Sequence, residues 1–248
     1  MYTNAIVRIF NEARRYYNDE DNNIIRIKQS LSKFKPIRQN VAEKRALSLD
    51  DIRRIFALPY DNKRHNGLIS RHDLSLDCYR LSFCLLGMNS ADLFAAERYE
   101  DGYIIYNREK TKDRRRDHAG IEVKVPDVIR PVFERYRGKN RVFNFYERFS
   151  GKDELNRAIN IGLKSVGKEL GIEGLQLYSA RHTMATLAAN DLQIDRWTVG
   201  LMLNHVDNMT SVTELYIKKD YTSINDANAR LMEYVFEKDN SQIISIYV

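Results

Sequence analysis

The chain has 248 residues, of which 43% are hydrophobic and 10% aromatic, so it can bury a substantial core and wholesale disorder is not expected. No stretch approaches the roughly 18 apolar residues of a membrane span, and the first fifteen residues mix charged with apolar side chains, unlike a secretory signal. The net charge of +6 reflects 40 basic and 34 acidic residues, a mild excess that is compatible with a nucleic-acid partner without being diagnostic of one.

The two cysteines, Cys78 and Cys84, lie six positions apart in an apolar segment. We expect two buried thiols in a reducing, cytoplasmic compartment, because no export signal is visible. No spacing of cysteine and histidine indicates zinc, and no cluster of carboxylates indicates a two-metal site. The sequence therefore predicts neither a metal nor a cofactor.

The N-terminal part predicts a helix followed by a linker. Residues 3–17 place their apolar side chains on one helical face. Residues 24–45 lack periodicity and are strongly basic, which is typical of an exposed linker or of one that crosses an acidic partner. Ser48, with Asp51 three positions later, is a pattern that starts a helix. We therefore place the main domain boundary near Arg45.

The middle of the chain predicts a helical core and one small sheet. Residues 73–96 are apolar almost all round, as in a buried helix, which Gly87 ends or kinks. Asp101-Gly102 predicts a turn between elements, with a strand over 103–110 and a returning strand over 121–125. Further helical patterns lie at 126–140 and 153–170. We expect a mainly α domain with a small antiparallel β-sheet of three strands or fewer, an α+β fold.

Three short helical patterns fill residues 175–221, and the first contains a charge in an unexpected place. Arg181 falls inside an apolar stripe, four positions after Leu177 and three before Met184. A buried guanidinium without partners is very costly. Arg181 is therefore either a snorkelling or salt-bridged arginine or part of an anion site.

The later helical patterns have recognisable ends. Asp195 is placed to cap the second helix, and Asn204 to end it as a left-handed residue. Three side chains of this helix are expected to point inward: Trp197, Leu201 and Met202. The third pattern begins near Thr210, and Ser223 is expected to cap a last amphipathic helix at 224–236.

Six basic residues crowd nine positions at the end of the first predicted strand and in the loop after it: Arg108, Lys110, Lys112, Arg114, Arg115 and Arg116. Such a run is either a solvated, charged turn or a surface that contacts the phosphate backbone of a nucleic acid. Taken alone, the run leaves both interpretations open.

The order of these pieces resembles that of the tyrosine recombinases, the phage-integrase family. The series reads LYSARHTMAT, then LNH, then TELY, downstream of a strand that ends in Lys-Thr. It is most similar to the integrases of conjugative transposons and related bacterial mobile elements. The resemblance spans residues 46–236 and implies the recombinase catalytic-domain fold for residues 46–248. It also implies that residues 1–36 are the C-terminal remnant of a helical core-binding domain and 37–45 a linker, which makes the chain a candidate fragment.

Four residues match the family's catalytic positions: Tyr216 the nucleophile, Arg181 the second arginine, His205 the histidine of the Leu-Gly-His motif, and Lys110 the lysine of a β-hairpin tip. The resemblance implies that Tyr216 attacks the scissile phosphate while Arg181 binds its non-bridging oxygens. His205 would assist there or move the proton of the nucleophile, and Lys110 would protonate the leaving 5′-oxygen. Tyr221 is the nearest rival nucleophile.

Two positions depart from the family pattern. Tyr178 stands where the family has histidine; a phenol can donate a hydrogen bond to phosphate but is a poor base at neutral pH. Asn89 stands where the family has its first arginine and brings no positive charge. Arg108 is our candidate for the missing cation, because it lies two residues before Lys110 on the predicted strand and so points to the same face.

The implied activity is site-specific recombination of DNA through a 3′-phosphotyrosyl intermediate, without metal or ATP, for integration and excision of a mobile element. The implied partners are double-stranded DNA attachment sites and a homotetramer on DNA, in which helix 224–236 docks on a neighbouring protomer, at the bacterial nucleoid. The expected DNA contacts are the linker and Lys112, Arg114, Arg115, Arg116 and His182, the last also orienting the site. Asn89 and Tyr178 leave open a DNA-binding relative that has lost cleavage, and a topoisomerase-like nicking enzyme is a third interpretation.

Overall fold

The computed structural model describes residues 2–31, 46–205 and 221–236. The chain divides into two compact units, Met1–Lys44 and Arg45–Val248. In the first unit, helix α1 (Tyr2–Tyr17) is followed by a turn that a backbone pair between Asp19 and Ile24 closes. The apolar face expected for this helix is present but exposed, with Ile6 at 62% and Ile9 at 69% of their full accessibility.

The second unit is mainly helical with a small antiparallel sheet, which confirms the predicted α+β class. Its elements in chain order are α2 (Leu49–Ala57), β1 (Arg64–His65), β2 (Leu68–Ile69), α3 (Arg71–Cys84), α4 (Ser90–Ala95), β3 (Arg98–Glu100), β4 (Tyr103–Asn107), β5 (Gly120–Lys124), α5 (Arg130–Arg135), α6 (Phe145–Arg148), α7 (Lys152–Leu170), α8 (Leu177–Thr186), α9 (Arg196–Met202) and α10 (Thr222–Phe236). A π-helical turn, Leu187–Asp191, continues α8.

Helix α3 lies at the centre of the core, as its apolar sequence predicts. Every residue from Asp73 to Cys84 is buried, because α2, α5, α7 and α8 pack around it. Helix α7 approaches α3 closely at Gly162, where an added Cβ would lie 2.1 Å from the Ser75 Oγ atom. Both free cysteines are buried here, which confirms that prediction.

The three-stranded sheet has the order β3-β4-β5, with β4 paired to both neighbours. Ile104 pairs with Val123 on the buried face. The predicted turn at Asp101-Gly102 joins β3 to β4 and has positive φ at both Asp101 (+49°) and Gly102 (+85°), as a tight hairpin turn requires; strand β3 itself was not predicted. The expectation of a strand to residue 110 is wrong. Strand β4 ends at Asn107 because the next carbonyl, that of Arg108, accepts two N–H groups of a tight turn.

Other differences are local. The two-residue hairpin β1–β2 was not expected, and its Asn66-Gly67 turn is the signal that marks it. The helical pattern at 126–140 contains only a 3₁₀ turn, Asp127–Ile129, and the short helix α5. Trp197 is exposed at 47%, against expectation, because seven-residue α9 buries the face of Val199 and Met202 and Trp197 points away from it.

Helix α10 packs on its own chain. Asn225 accepts the Lys124 N–H at 2.8 Å and donates to the Glu122 carbonyl at 3.1 Å, which ties the helix to strand β5. At its other end, Arg53 donates to the carbonyl of Val235 at 3.0 Å. Its apolar side chains, such as Leu231, are buried in this position, so this face is not free to dock on a neighbouring protomer. The helix begins at Thr222, so Ser223 lies inside it rather than capping it.

In the part of the chain that the structure describes, no helix combines the length and the apolar character needed to cross a membrane.

Candidate functional site

Arg181 is buried in α8, and its side chain packs against Gly87, where the absence of a Cβ leaves room for it. Its Nη1 donates to the Gly87 carbonyl at 3.3 Å and to the Leu86 carbonyl at 3.5 Å, both long contacts, and its Nη2 donates to the Leu203 carbonyl. Gly87 has φ +68°, and a Cβ there would lie 2.6 Å from the Cγ of Arg181. Within the described residues, the guanidinium is thus held by backbone carbonyls and forms no salt bridge to a carboxylate.

Arg108 reaches the same acceptor from the opposite side. It follows β4, extends the ladder through its N–H to the Ala119 carbonyl, and is only 7% exposed. Its Nη1 donates to the Leu203 carbonyl at 3.2 Å, and its buried Nε has no hydrogen-bond partner among the described residues. Two buried guanidiniums therefore converge on one neutral oxygen.

The structure brings Arg108 and Arg181 together, but not for the reason the sequence suggests. The expectation that Arg108 and Lys110 share a strand face is wrong, because both lie beyond the end of β4, Arg108 buried and Lys110 exposed. Arg108 instead meets Arg181 at the carbonyl of Leu203, the residue that follows the last residue of α9. Lys110 is at the surface of the same turn and forms no ion pair with a described residue.

A buried carboxylate that the sequence reasoning missed lies beside the arginine pair. Asp92 in α4 is 2% exposed and accepts the Glu109 N–H at 2.8 Å, so it also fixes the turn that carries Lys110. Burial raises the pKa of Asp92, while the Glu109 hydrogen bond and the Arg108 and Arg181 charges oppose that rise. Its place three residues after Asn89, at the start of a short helix, was a signal available from the sequence.

The electrostatics of the pair favour an added anion. Burial, and then the charge of Arg108, lower the pKa of Arg181 to about 10, so this guanidinium stays charged at neutral pH. Among the described residues, Asp92 acts on both arginines, and its single carboxylate can balance only one of the two positive charges. A group with several negative oxygens would satisfy both the charge and the unused donors.

The turn after α9 places His205 next to the arginines. Asn204 adopts the left-handed conformation (φ +49°) that the sequence predicts. Its side-chain amide donates to the Ala119 carbonyl at 2.7 Å, and its own carbonyl accepts Arg115 Nη1 at 2.8 Å. Partial burial, and then the charges of Arg181, Arg108 and Arg115, lower the pKa of the His205 imidazole. The imidazole is therefore neutral at pH 7, and a neutral imidazole can accept a proton.

Tyr178 and His182 lie on the outer face of α8. They are four residues apart, and their rings meet edge to face at a centroid distance of 4.7 Å. Tyr178 is 41% exposed and His182 is also exposed, so both are accessible to a partner. Tyr178 lies near enough to Arg181 to act on its pKa.

The basic turn, residues 108–116, contains cations that pair with described carboxylates and others that do not. Lys112 pairs with Glu109, which also accepts Lys152 at 3.2 Å. Arg115 pairs with Asp117 in addition to its contacts with Asn204. Two further cations are exposed: Arg114 and Arg116.

Two tyrosines were considered as nucleophiles, and the structure describes one of them. Tyr216 lies outside the described residues, as do the predicted helix that carries it and the linker 37–45. Tyr221 is half-buried, and its hydroxyl lies 3.5 Å from the position of a Cβ built on Gly120. Burial, with Glu122 and Asp117, raises the pKa of Tyr221, which disfavours the phenolate that an attack requires.

One group of residues has the composition of a metal site: Asp61, His72 and Asp73. The Asp73 carboxylate accepts the backbone N–H groups of Asp61 at 2.9 Å and Asn62 at 3.1 Å, and lies 2.9 Å from His72 Nδ1. These bonds fix the loop before β1. The carboxylate is thus already occupied in holding the backbone.

Comparison with protein-family models, with curated proteins and with solved structures finds no match for this chain.

Proposed function

We propose that the chain is a site-specific DNA recombinase of the tyrosine type, with the catalytic-domain fold of the phage integrases. The observation that carries this proposal is the convergence of buried Arg108 and Arg181 beside His205. A phosphodiester in a substitution reaction develops negative charge on its non-bridging oxygens. Two preorganised guanidiniums in a site of low polarity stabilise such charge strongly.

Each group has a chemical role in this proposal. Tyr216 attacks the scissile phosphate and forms a 3′-phosphotyrosyl bond, releasing a 5′-hydroxyl. Arg181 and Arg108 bind the non-bridging oxygens, and neutral His205 accepts or shuttles the proton of the nucleophile. Lys110, exposed at the tip of the turn, protonates the leaving 5′-oxygen. The phosphotyrosyl bond retains the free energy of the broken bond, so rejoining needs neither metal nor ATP.

The partner is double-stranded DNA at attachment sites, bound by a homotetramer of the chain in the bacterial cytoplasm. The exposed guanidiniums of Arg114 and Arg116 are suited to the phosphate backbone, and His182 lies on an accessible face. Lys112 and Arg115 are already paired within the protein, so their DNA contacts require exchange of Glu109 or Asp117 for phosphate.

A nicked suicide substrate tests the proposal. Cleavage traps a covalent protein–DNA adduct, because the short strand carrying the free 5′-hydroxyl diffuses away. We expect the adduct with the wild-type chain and with Tyr221→Phe, and none with Tyr216→Phe. We expect Arg108→Ala to lower the cleavage rate by roughly a hundredfold or more, the usual effect of removing one oxyanion donor. Wild-type cleavage by Arg108→Ala would refute its role.

The second candidate is a DNA-binding relative that has lost cleavage. It is favoured by Asn89, which takes the N-terminal position of α4 without a side-chain cap and leaves the site one arginine short of the family pattern. Specific DNA binding without an adduct under any condition would establish this alternative. Strand joining between two duplexes, measured with differently labelled substrates, separates recombination from topoisomerase-like nicking.

A further inference from the structure

We infer that the carbonyl of Leu203 occupies the place of a phosphate oxygen, so that the DNA-free chain is closed by its own backbone and an oxyanion must displace this carbonyl to bind. This inference rests on the proposed function, because it concerns how the same arginine pair receives its substrate. The ligand class is a tetrahedral oxyanion, of which the DNA phosphodiester is one source and inorganic phosphate another.

The hydrogen bonds of the pair show why the carbonyl is a stand-in. Arg108 donates from Nη1 to the Leu203 carbonyl, and its Nε has no partner within the described ranges. Arg181 donates from Nη2 to the same oxygen, and its contacts with the carbonyls of Gly87 and Leu86 are long, 3.3 and 3.5 Å. A carbonyl is neutral and has two lone pairs, whereas a phosphate oxyanion offers charge and several acceptor oxygens to donors in a fork geometry. The site is therefore occupied by the weaker of two possible acceptors.

Displacement of this carbonyl moves the turn that carries His205. The carbonyl belongs to the peptide that joins Leu203 to Asn204, and rotation of that peptide changes the left-handed backbone of Asn204. The N–H of His205 donates to the Gly200 carbonyl at 2.9 Å in the closed state. Oxyanion binding and the placement of His205 are thus coupled through one peptide.

Asn204 holds the closed state from the other side. Its Nδ2 donates to the Ala119 carbonyl at 2.7 Å, and its Oδ1 accepts Arg115 Nη1 at 3.1 Å. A change that removes these bonds without changing charge should favour the open state and strengthen oxyanion binding, because a ligand binds more tightly when its competent state is more populated.

The variant Asn204→Gly meets these conditions, since glycine adopts positive φ freely and carries no side chain. The chain's single tryptophan, Trp197, lies on α9 and reports on the turn by fluorescence during titration with inorganic phosphate at constant ionic strength. We expect saturable binding by the wild-type chain, loss of binding in Arg108→Gln, and a Kd for Asn204→Gly lower by roughly 3- to 10-fold. Thermal melting of each variant verifies that it is folded.

Hydrogen exchange at residues 200–205 gives the second measurement. We expect saturating phosphate to accelerate exchange of the His205 amide in the wild-type chain. An unchanged or weaker phosphate affinity in Asn204→Gly, or unchanged exchange at 203–205, would overturn the inference, as would a wild-type chain that binds no phosphate. The adduct assay tests the proposed function separately. If the proposed function holds but the Leu203 carbonyl does not block the site, the chain still forms the adduct. If the carbonyl blocks the site but the chain has no nucleophile, phosphate binding behaves as expected and no adduct forms.

Discussion

Replacement of Gly87 with alanine tests how closely the backbone fits around Arg181. The new methyl group would lie 2.6 Å from Cγ, 2.7 Å from Cβ and 2.9 Å from Cα of Arg181, so backbone as well as side chain must move. Overpacking of this kind costs about 1–3 kcal/mol. The left-handed backbone of Gly87 (φ +68°) adds about 1–2 kcal/mol for alanine. We expect a loss of about 2–5 kcal/mol in the free energy of unfolding.

Gly171 provides the matched control, because its φ is +69° and no atom lies within 4 Å of an added Cβ. Alanine at Gly171 should therefore cost only the backbone part, about 1–2 kcal/mol. Urea unfolding followed by circular dichroism measures both variants. The difference isolates the contact with Arg181, and phosphate titration shows whether the anion site is lost with it. Equal destabilisation of the two variants would refute the claimed fit between Gly87 and α8.

Three further predictions concern pH, capping and packing. The folded-state pKa of His205 is lowered below 6.5. Protonation of His205 therefore lowers the free energy of unfolding, and this stability is lost as the pH falls from 6.5 through the lowered pKa. His205→Gln should flatten that part of a urea-unfolding pH profile. Asp195 accepts the Thr198 N–H at 2.9 Å, so Asp195→Ala should cost about 1 kcal/mol in the same assay. Gly162→Ala should lower the free energy of unfolding by about 1–3 kcal/mol, because the added methyl group clashes with α3. Gly200→Ala should raise it by about 0.5–1 kcal/mol, because no described atom lies within 4 Å of an added Cβ. The reverse order in thermal melts would contradict the packing of α7 on α3.

The features that the sequence predicts correctly are those set by local chemistry. Ser48 accepts the Asp51 N–H at 3.1 Å and starts α2 where its pattern places it. Asp195 caps α9 in the same way, and Asn204 takes the left-handed conformation at its end. In each case the deciding atoms lie within three residues of one another along the chain. Such short-range hydrogen bonds and backbone preferences can be read from the sequence, although the local pattern at Ser223 did not place the start of α10 correctly.

The features that could not be predicted from the sequence depend on contacts with residues from other elements of the fold. The charge run around residue 110 does not show that Glu109 pairs with both Lys112 and Lys152, because Lys152 comes from a helix far along the chain. The alternation of side chains along a strand would place Arg108 and Lys110 on one face only if β4 continued to residue 110, but β4 ends at Asn107. The contact of Arg108 with the Leu203 carbonyl depends on where α9 ends relative to the sheet. Asp92 was overlooked because an aspartate in the first turn of a helix is ordinary in sequence, and its burial is a tertiary property.

Arg80 shows what a purely structural buried arginine looks like in the same domain. Its Nη2 donates to the carbonyls of Ile55, Phe56 and Leu58 at 3.1, 3.1 and 2.7 Å, closing the C-terminal end of α2. That guanidinium satisfies carbonyls that a helix end would otherwise leave unpaired. Arg181 also donates to backbone carbonyls, but it shares the Leu203 carbonyl with Arg108, so two positive charges lie close together and repel each other. Their shared burial is therefore better explained by a task that needs positive charge, which is the reason to look for a phosphate between them.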